Sequence, residues 1–426
     1  HRRKRASEIA GKKTMPVLIR NMDDDEATIA MVDSNLQREF ILHSERAAAY
    51  QMKLEALAHQ GKRNDLTSSQ VGTKLRADAI IAEEAGTSRN QVQRYIRLNN
   101  LIKPILNMVD SEKIAFIHTK GLDLSRFMLG TVQLGMEYGL GSDRAKPSYQ
   151  KAFAMLDQAA ALGINAFDTA NNYGDAEYIL GQWLEKRYRN PGVRPWIVTK
   201  IGPLKDEAFD NLRDDVRRQV DDCRWNLGVE TIDCLMLHNY EDYEAHGKAI
   251  QRIFAELRGE HAFRYSAISA YSRHDYGVIA ESGFDAVQIP LNIFDWGQIE
   301  SGGIEKLAKA NMMIFARSVF LQGLVFLTPQ VLDRRMDFCL PALETFQRLC
   351  REFELSPAVL SLSFVLTVPG ITTAVLGCDN VKQVQDNAKL FDQTVPLTKT
   401  HWDTLRKAFM NIDERVINPG VWFNHT

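Results

Sequence analysis

The chain has 426 residues, 45% of them hydrophobic and 25% charged, with a formal net charge of -2. This composition excludes a collagen-like, low-complexity or wholly disordered chain, and no run reaches the roughly 18 uninterrupted apolar residues of a membrane-spanning helix. Charge is unevenly divided: residues 1–117 carry 19 Lys and Arg against 15 Asp and Glu, a net of +4, and the remainder carries 33 against 39, a net of -6. Two modules with different partners are expected from that asymmetry. The five cysteines, Cys223, Cys234, Cys339, Cys350 and Cys378, are odd in number and form no C-x-x-C pair, which points to reduced thiols and a cytoplasmic setting. The basic opening has no apolar signal core behind it, and the chain starts at His1 rather than Met, so residues are expected upstream.

In the first module, the segment from Arg76 to Leu98 is the informative part. Asp78–Ala85 reads as one helix, Gly86-Thr87-Ser88 as a tight turn whose serine can cap the next helix, and Arg89–Leu98 as that second helix. Small Ala82, the turn glycine and apolar Val92 and Ile96 fit a helix-turn-helix. The polar face of the second helix offers Arg89, Asn90, Gln93, Arg94 and Arg97, donors suited to phosphates and base edges. A plain helical hairpin with a solvated face is the alternative. Together with the R-R-x-R-A box at Arg2 and Arg3 and the S-N-L-Q-R-E box at Asn35, Gln37 and Arg38, the segment resembles ParB-like partition proteins. The resemblance implies DNA contact through the helix-turn-helix and a nucleotide-binding role for the two boxes. The family's leading strands and later helices are absent, so residues 1–117 read as a fragment. The join is expected near 117–121, with a barrel module over 118–426.

From there strands and helices alternate. Strands are expected at 127–130 and 164–167, then two ending at Lys200 and His238, then 265–268, 286–289, 312–316 and 373–376. Eight such strands with intervening helices indicate a (β/α)8 TIM barrel, of α/β class, behind a small mainly helical N-terminal domain. The alternative is a doubly wound open sheet, but no G-x-G-x-x-G follows an early strand.

Three of these strands end in a polar residue, Asp168, Lys200 and His238, and Tyr173 follows Asp168 by five positions, directly before Gly174. Strand ends of a parallel barrel converge on one face, so the four groups are expected to meet. An ammonium beside a phenol makes it a better acid, and a carboxylate keeps that ammonium charged. A histidine alongside can bind a carbonyl oxygen. The D-T-A-x-x-Y-G stretch, the V-T-K strand end and the L-x-L-H strand end resemble the aldo-keto reductases, over about residues 125–422. The resemblance implies a catalytic set of Asp168, Tyr173, Lys200 and His238, acting on a small-molecule carbonyl (aldehyde or ketone) or alcohol with a nicotinamide cofactor.

The resemblance also implies where that cofactor lies. Ser269 and Gln288 hold the nicotinamide carboxamide, although Ala270 stands where the family often has Asn. Arg317 replaces a stacking aromatic and can stack through its planar guanidinium. Ser318, Leu321 and Gly323 match the loop around the pyrophosphate, and Gly377, Gln383 and Asn387 the adenosine segment. Family precedent implies NADP(H), whereas Asp379 repels a 2′-phosphate and points to tolerance of NAD(H). Trp225 is expected under the barrel and Trp296 near the substrate pocket, whose shape rests on the segments 137–146 and 326–340. No metal site and no membrane partner are expected. The competing functional class is a DNA-binding regulator with the barrel as redox sensor or passenger.

Overall fold

Short apolar runs that alternate with amphipathic helical stretches bury both faces of each strand in an open sheet covered on both sides or in a sheet closed on itself. In the computed structural model the sheet closes. The structure describes residues 114–137, 145–188, 194–205 and 208–423, and in the N-terminal part residues 23, 26–30, 32, 49–54, 56–57, 77–84, 87–90 and 92–93. The chain divides into two compact units, His1–Ser111 and Glu112–Thr426.

The second unit opens with an antiparallel hairpin, β1 (Phe116–Thr119) and β2 (Leu122–Ser125). Lys120 and Gly121 both take positive φ, 46° and 78°, the pairing of a two-residue turn whose twist matches the flanking strands. The region read from sequence as the join is therefore a hairpin of the second unit. Eight parallel strands come next: β3 (Phe127–Gly130), β4 (Ala166–Asp168), β5 (Trp196–Ile201), β6 (Ile232–Leu237), β7 (Phe263–Ser269), β8 (Ala286–Pro290), β9 (Met313–Arg317) and β10 (Ile371–Gly377). They form a closed barrel in the order β10-β3-β4-β5-β6-β7-β8-β9. The pairing of β10 with β3 excludes the open doubly wound sheet. The expected strands are all present, with ends displaced by a residue or two.

Two apolar layers hold this unit. Inside the barrel lie Met128, Ala166, Val198, Cys234, Met236, Ala267, Ala286, Met313 and Phe315, and Leu124 of the hairpin joins them, with Ile117 and Leu122 packed alongside. The outward face of the strands packs on the helices, as with Phe167 against Trp183 at 5.5 Å between rings. All five cysteines are buried and free.

Two aromatic placements differ from expectation. Trp225 is 86% exposed, because the buried stripe of helix Phe209–Leu227 runs through Leu212, Val216, Val220, Cys223 and Leu227. Trp296 is core rather than pocket lining: it packs on Phe364 and Trp402, and its indole N–H donates to the Ile293 carbonyl at 3.0 Å.

In the first unit, helix Ala77–Glu84 and the helical residues 89–90 and 92–93 flank a turn at Thr87 and Ser88. Ile81, Ala82 and Val92 pack with Tyr50. Arg2, Arg3, Asn35, Gln37, Arg38, Gly86, Arg94 and Arg97 lie outside the described residues.

Candidate active site

Side chains alternate along a strand, so the residue two positions beyond each interior residue also points inward, one layer higher. Counting up from the apolar layer gives Gly130 above Met128, Asp168 above Ala166, Lys200 above Val198 and His238 above Met236. On the other side it gives Ser269 above Ala267, Gln288 above Ala286 and Arg317 above Phe315. This is the layer at the carboxyl ends of the strands. Polar groups gather in this layer, the end of a parallel barrel that carries its chemistry.

Lys200 is fully buried, and its Nζ donates to Asp168 Oδ2 at 2.7 Å, to the Thr169 carbonyl at 2.9 Å and to the Tyr173 hydroxyl at 3.3 Å. Burial alone would drive its ammonium toward neutrality, but the Asp168 carboxylate and the Tyr173 hydroxyl outweigh that and raise its pKa above the ordinary lysine value. The ammonium also lies 4.8 Å from the Tyr173 ring centre. His238 meets Tyr173 edge to face, with ring centres 5.8 Å apart. Burial first, then the charges of Lys200 and Arg317, push the His238 pKa down to about 3. Its imidazole is therefore neutral. Nδ1 is buried without a partner, which leaves Nε2 as the nitrogen available to a ligand.

Backbone contacts place the tyrosine. Thr131, just after β3, donates twice to the Asp168 carbonyl, through N–H and Oγ1, each at 2.9 Å. Gly135 lies so close to the next turn that a Cβ would overlap the Tyr173 carbonyl oxygen and come within 2.5 Å of the Ala176 nitrogen. Gly174 takes φ +56° against the Gly135 carbonyl. On the other side Gln219 Oε1 accepts from Asn171 Nδ2 at 2.9 Å and from the Gly202 N–H at 2.8 Å, tying the turn after β4 to the end of β5. Thr131, Gly135 and Gln219 were not singled out from sequence.

The residues expected at a cofactor lie around the same mouth. Ser269 and Gln288 are cross-strand neighbours on β7 and β8 and are both buried. Gln288 Nε2 donates to Asp168 Oδ1 at 2.7 Å. Arg317 carries its guanidinium 4.6 Å from the Tyr271 ring, a partner the sequence reading missed, and Nη2 reaches the Ala270 carbonyl at 3.4 Å. Ser318, Leu321, Gln322 and Gly323 all take positive φ, 62°, 46°, 52° and 96°. Three of these are not glycine, and such left-handed conformations cost about 1–3 kcal/mol each and cluster at ligand clamps. The change of hand from Phe320, at φ -101°, to Leu321, at φ 46°, turns successive N–H groups toward one side, as anion-binding concavities do.

After β10, a Cβ on Gly377 would overlap the Gln133 side chain, whose Oε1 is buried without a partner. Asp379 and Gln383 satisfy each other: the Asp379 N–H donates to Gln383 Oε1 at 2.8 Å, and Gln383 Nε2 returns a bond to the carboxylate at 3.1 Å. Asn380, not Asp379, caps helix Val381–Gln393, and Asn387 Nδ2 lies 3.3 Å from Cys378 Sγ. The left-handed turn at 318–323, with the Arg317 guanidinium beside it, fits the anionic part of a cofactor at this mouth.

On the first unit, Arg89 Nε and Gln93 Nε2 both donate to buried Asp78, at 2.9 and 2.6 Å. Of the expected DNA-facing donors that are described, Arg89 and Gln93 are thus engaged within the unit, and Arg89 and Asn90 are exposed. Among the described residues no helix is long and apolar enough to cross a membrane, and no cluster of His, Cys, Asp and Glu could hold a metal ion.

The profile of the Aldo/keto reductase family matches residues 126–409. The chain therefore belongs to the aldo/keto reductase family, whose members are oxidoreductases. It is 25% identical over 290 residues to the oxidoreductase YqkF of Bacillus subtilis, covering 63% of this chain and 88% of that one. The glycerol dehydrogenase of Gluconobacter oxydans shares the fold at a TM-score of 0.56 and 23% identity, over 71% of this chain and 97% of that one. A further stretch of 121 residues is 35% identical to the probable chromosome 1-partitioning protein ParB of Deinococcus radiodurans, 28% of this chain and 36% of that protein. The matched stretch spans about a third of that relative's length.

Proposed function

We propose that the barrel reduces a carbonyl of a small aldehyde or ketone to an alcohol, or runs the reverse reaction, with Tyr173 as proton donor. The observation that carries this reading is the Lys200 ammonium, bonded to Asp168 at 2.7 Å and to the Tyr173 hydroxyl at 3.3 Å at the carboxyl end of a closed barrel. Lys200 favours the tyrosinate left after proton transfer, which makes Tyr173 the stronger acid. Asp168 keeps Lys200 charged and fixed. Neutral His238 offers Nε2 to the carbonyl oxygen and orients it between His238 and Tyr173. In the oxidative direction the tyrosinate takes the alcohol proton.

A nicotinamide dinucleotide would supply or accept the hydride when bound. Ser269 and Gln288 would hold its carboxamide, Arg317 its ring, the 318–323 turn its pyrophosphate, and Gly377, Asp379, Gln383 and Asn387 its adenosine. Family precedent favours NADP(H). The exposed Asp379 carboxylate opposes a 2′-phosphate, so NAD(H) is also used. Asp379→Arg should shift the ratio of kcat/KM toward NADP(H), since an arginine clamp on phosphate is charge-assisted and bidentate. An unchanged ratio moves the phosphate site elsewhere.

The reading is tested by following nicotinamide absorbance against a panel of aldehydes and ketones, with Tyr173→Phe in parallel. Turnover by the native chain that the variant lacks supports it. Equal turnover by both overturns the assigned acid.

A second role, DNA contact by the N-terminal fragment, is favoured by its similarity to partition proteins. Among the described residues Asn90 carries that proposal more than Arg89 and Gln93, which Asp78 engages, and Arg94 and Arg97 enter it from the sequence alone. Retardation of DNA by the full chain, lost on raising salt and on Arg94→Ala with Arg97→Ala, is the expected result. Retardation unchanged by either would remove these residues from the interface.

A further inference from the structure

The Asp168 carboxylate is held from two sides. Lys200 takes Oδ2 at 2.7 Å from the neighbouring strand, and Gln288 Nε2 donates to Oδ1 at 2.7 Å. Gln288 sits on β8, which lies four strands from β4 in either direction around the eight-stranded barrel. The bond therefore spans the barrel from side to side beneath the mouth. Both residues are buried, Asp168 at 4% exposure and Gln288 at 2%. An ionised carboxylate only accepts, so the amide must present its NH2 to Asp168, and its orientation is set by chemistry.

We propose that Gln288 is a positioning residue for the proton donor, a strut that fixes the rotation of the Asp168 carboxylate and, through Lys200, sets the acidity of Tyr173. The inference rests on the reductase reading and adds to the carboxamide contact assigned to Gln288 there. Without the amide donor, Oδ1 has no hydrogen-bond partner among the described residues. The carboxylate then draws more strongly on the Lys200 ammonium, and less of that charge is left to favour the tyrosinate.

The charged and titratable groups around this pair are Lys200 from β5, Tyr173 from the turn after β4, Cys234 and His238 from β6, and Arg317 from β9. Burial keeps Cys234 a thiol and His238 a neutral imidazole. An alkaline transition in rate therefore belongs to the Tyr173–Lys200 pair as a unit.

The test compares Gln288→Leu and Gln288→Glu with the native full-length chain. Three quantities are measured: the pH profile of kcat in both directions, cofactor affinity by quenching of protein fluorescence, and phenolate absorbance on titration. The last is taken as the difference between each protein and its Tyr173→Phe counterpart.

Gln288→Leu should move the alkaline limb of reduction upward by up to about one pH unit, the size of one lost hydrogen bond to a charged group. Alcohol oxidation near neutral pH, which needs the tyrosinate, should then fall up to about tenfold. Gln288→Glu sets two carboxylates face to face, so one holds a proton until higher pH. In that form it donates to Asp168 as the glutamine does. The Glu variant should therefore follow the native profile in acid and depart from it as pH rises. A packing role alone would lower the rate equally at every pH.

Profiles of both variants that superimpose on the native curve after scaling, with only cofactor affinity reduced, overturn the proposal. Should the native chain turn over no carbonyl, the reductase reading fails separately, and the phenolate titration still decides. An upward shift of the Tyr173 transition in Gln288→Leu supports the strut, and an unmoved transition overturns it.

Discussion

The two ends of the barrel are built from the same strands by the same alternation, yet they are finished in opposite ways. At the amino end the β1–β2 hairpin closes the interior with Leu124, flanked by Ile117 and Leu122. Polar groups there are paired within the fold: Asp233 accepts from the Ile197 N–H at 3.0 Å and pairs with Arg194, and Asp285 accepts from the Ser266 N–H at 3.0 Å. At the carboxyl end Gln133 Oε1, Thr169 Oγ1, Asn171 Oδ1 and His238 Nδ1 are buried without partners, whereas toward the amino end Trp196 Nε1 is in that state. Satisfied groups specify a fold. The unsatisfied ones named here gather mostly at the end where the catalytic side chains meet.

The sharpest break in that comparison is Tyr173→Phe, at the carboxyl end. Carbonyl reduction should fall by about 10²–10⁴-fold, the usual share of a general acid, with cofactor affinity and melting temperature unchanged. Near-native turnover would place the acid elsewhere. At the other end Leu124→Ala should do the converse. It removes a 1%-exposed side chain from the interior and should cost about 2–5 kcal/mol by denaturant unfolding, with kcat intact at temperatures where the variant is folded. A fall in kcat without loss of stability would mean that the plug communicates with the mouth.

A third measurement separates the ends by pH. His238 titrates near 3 in the folded chain against 6.5 in a free histidine, so its contribution to stability is complete above 6.5 and is lost as pH falls toward the folded value. Between 6.5 and about pH 4.5 that loss is about 2–3 kcal/mol, and His238→Asn should flatten the unfolding profile over this window. An equally steep profile in the variant assigns the acid sensitivity to other groups. The smallest effect is expected from removing residues 1–111. The compact unit Glu112–Thr426 contains the hairpin and all eight barrel strands, so turnover and cofactor affinity should stay within about twofold of the full chain, within the scope of a domain with its own core. Loss of activity would make the N-terminal segment part of the enzyme.

The barrel was legible because its signal is local: apolar runs, each bounded by a polar residue or a turn. Asp168, Lys200 and His238 end such runs, and the period of two that buries Ala166, Val198 and Met236 carries them into one layer. The hairpin was missed because its turn is Lys120-Gly121 rather than an Asn-Gly or Asp-Gly pair. Trp225 was misjudged although its signal was available. Leu212, Val216, Val220, Cys223 and Leu227 mark the buried stripe of its helix, and position 225 falls on the far side of that stripe. The contacts that set the site were not legible at all. Gly135 against Tyr173, Gln288 across to Asp168, and Asp78 with Arg89 and Gln93 join residues far apart in the chain, and no local pattern announces them.

The five buried thiols give this molecule an internal clock. Burial pushes Cys339 and Cys378 up to about 12 and Cys350 to about 11, and holds Cys223 and Cys234 well above the ordinary thiol value. In the closed state none presents the thiolate that an alkylating reagent attacks. Each is therefore labelled only when its own surroundings open. Cys234 sits inside the barrel, Cys223 under a flanking helix and Cys378 beside the last strand. The order in which a small iodoacetamide marks them, read by peptide mass, ranks how often the lumen, the helical shell and the rim of the fold come apart.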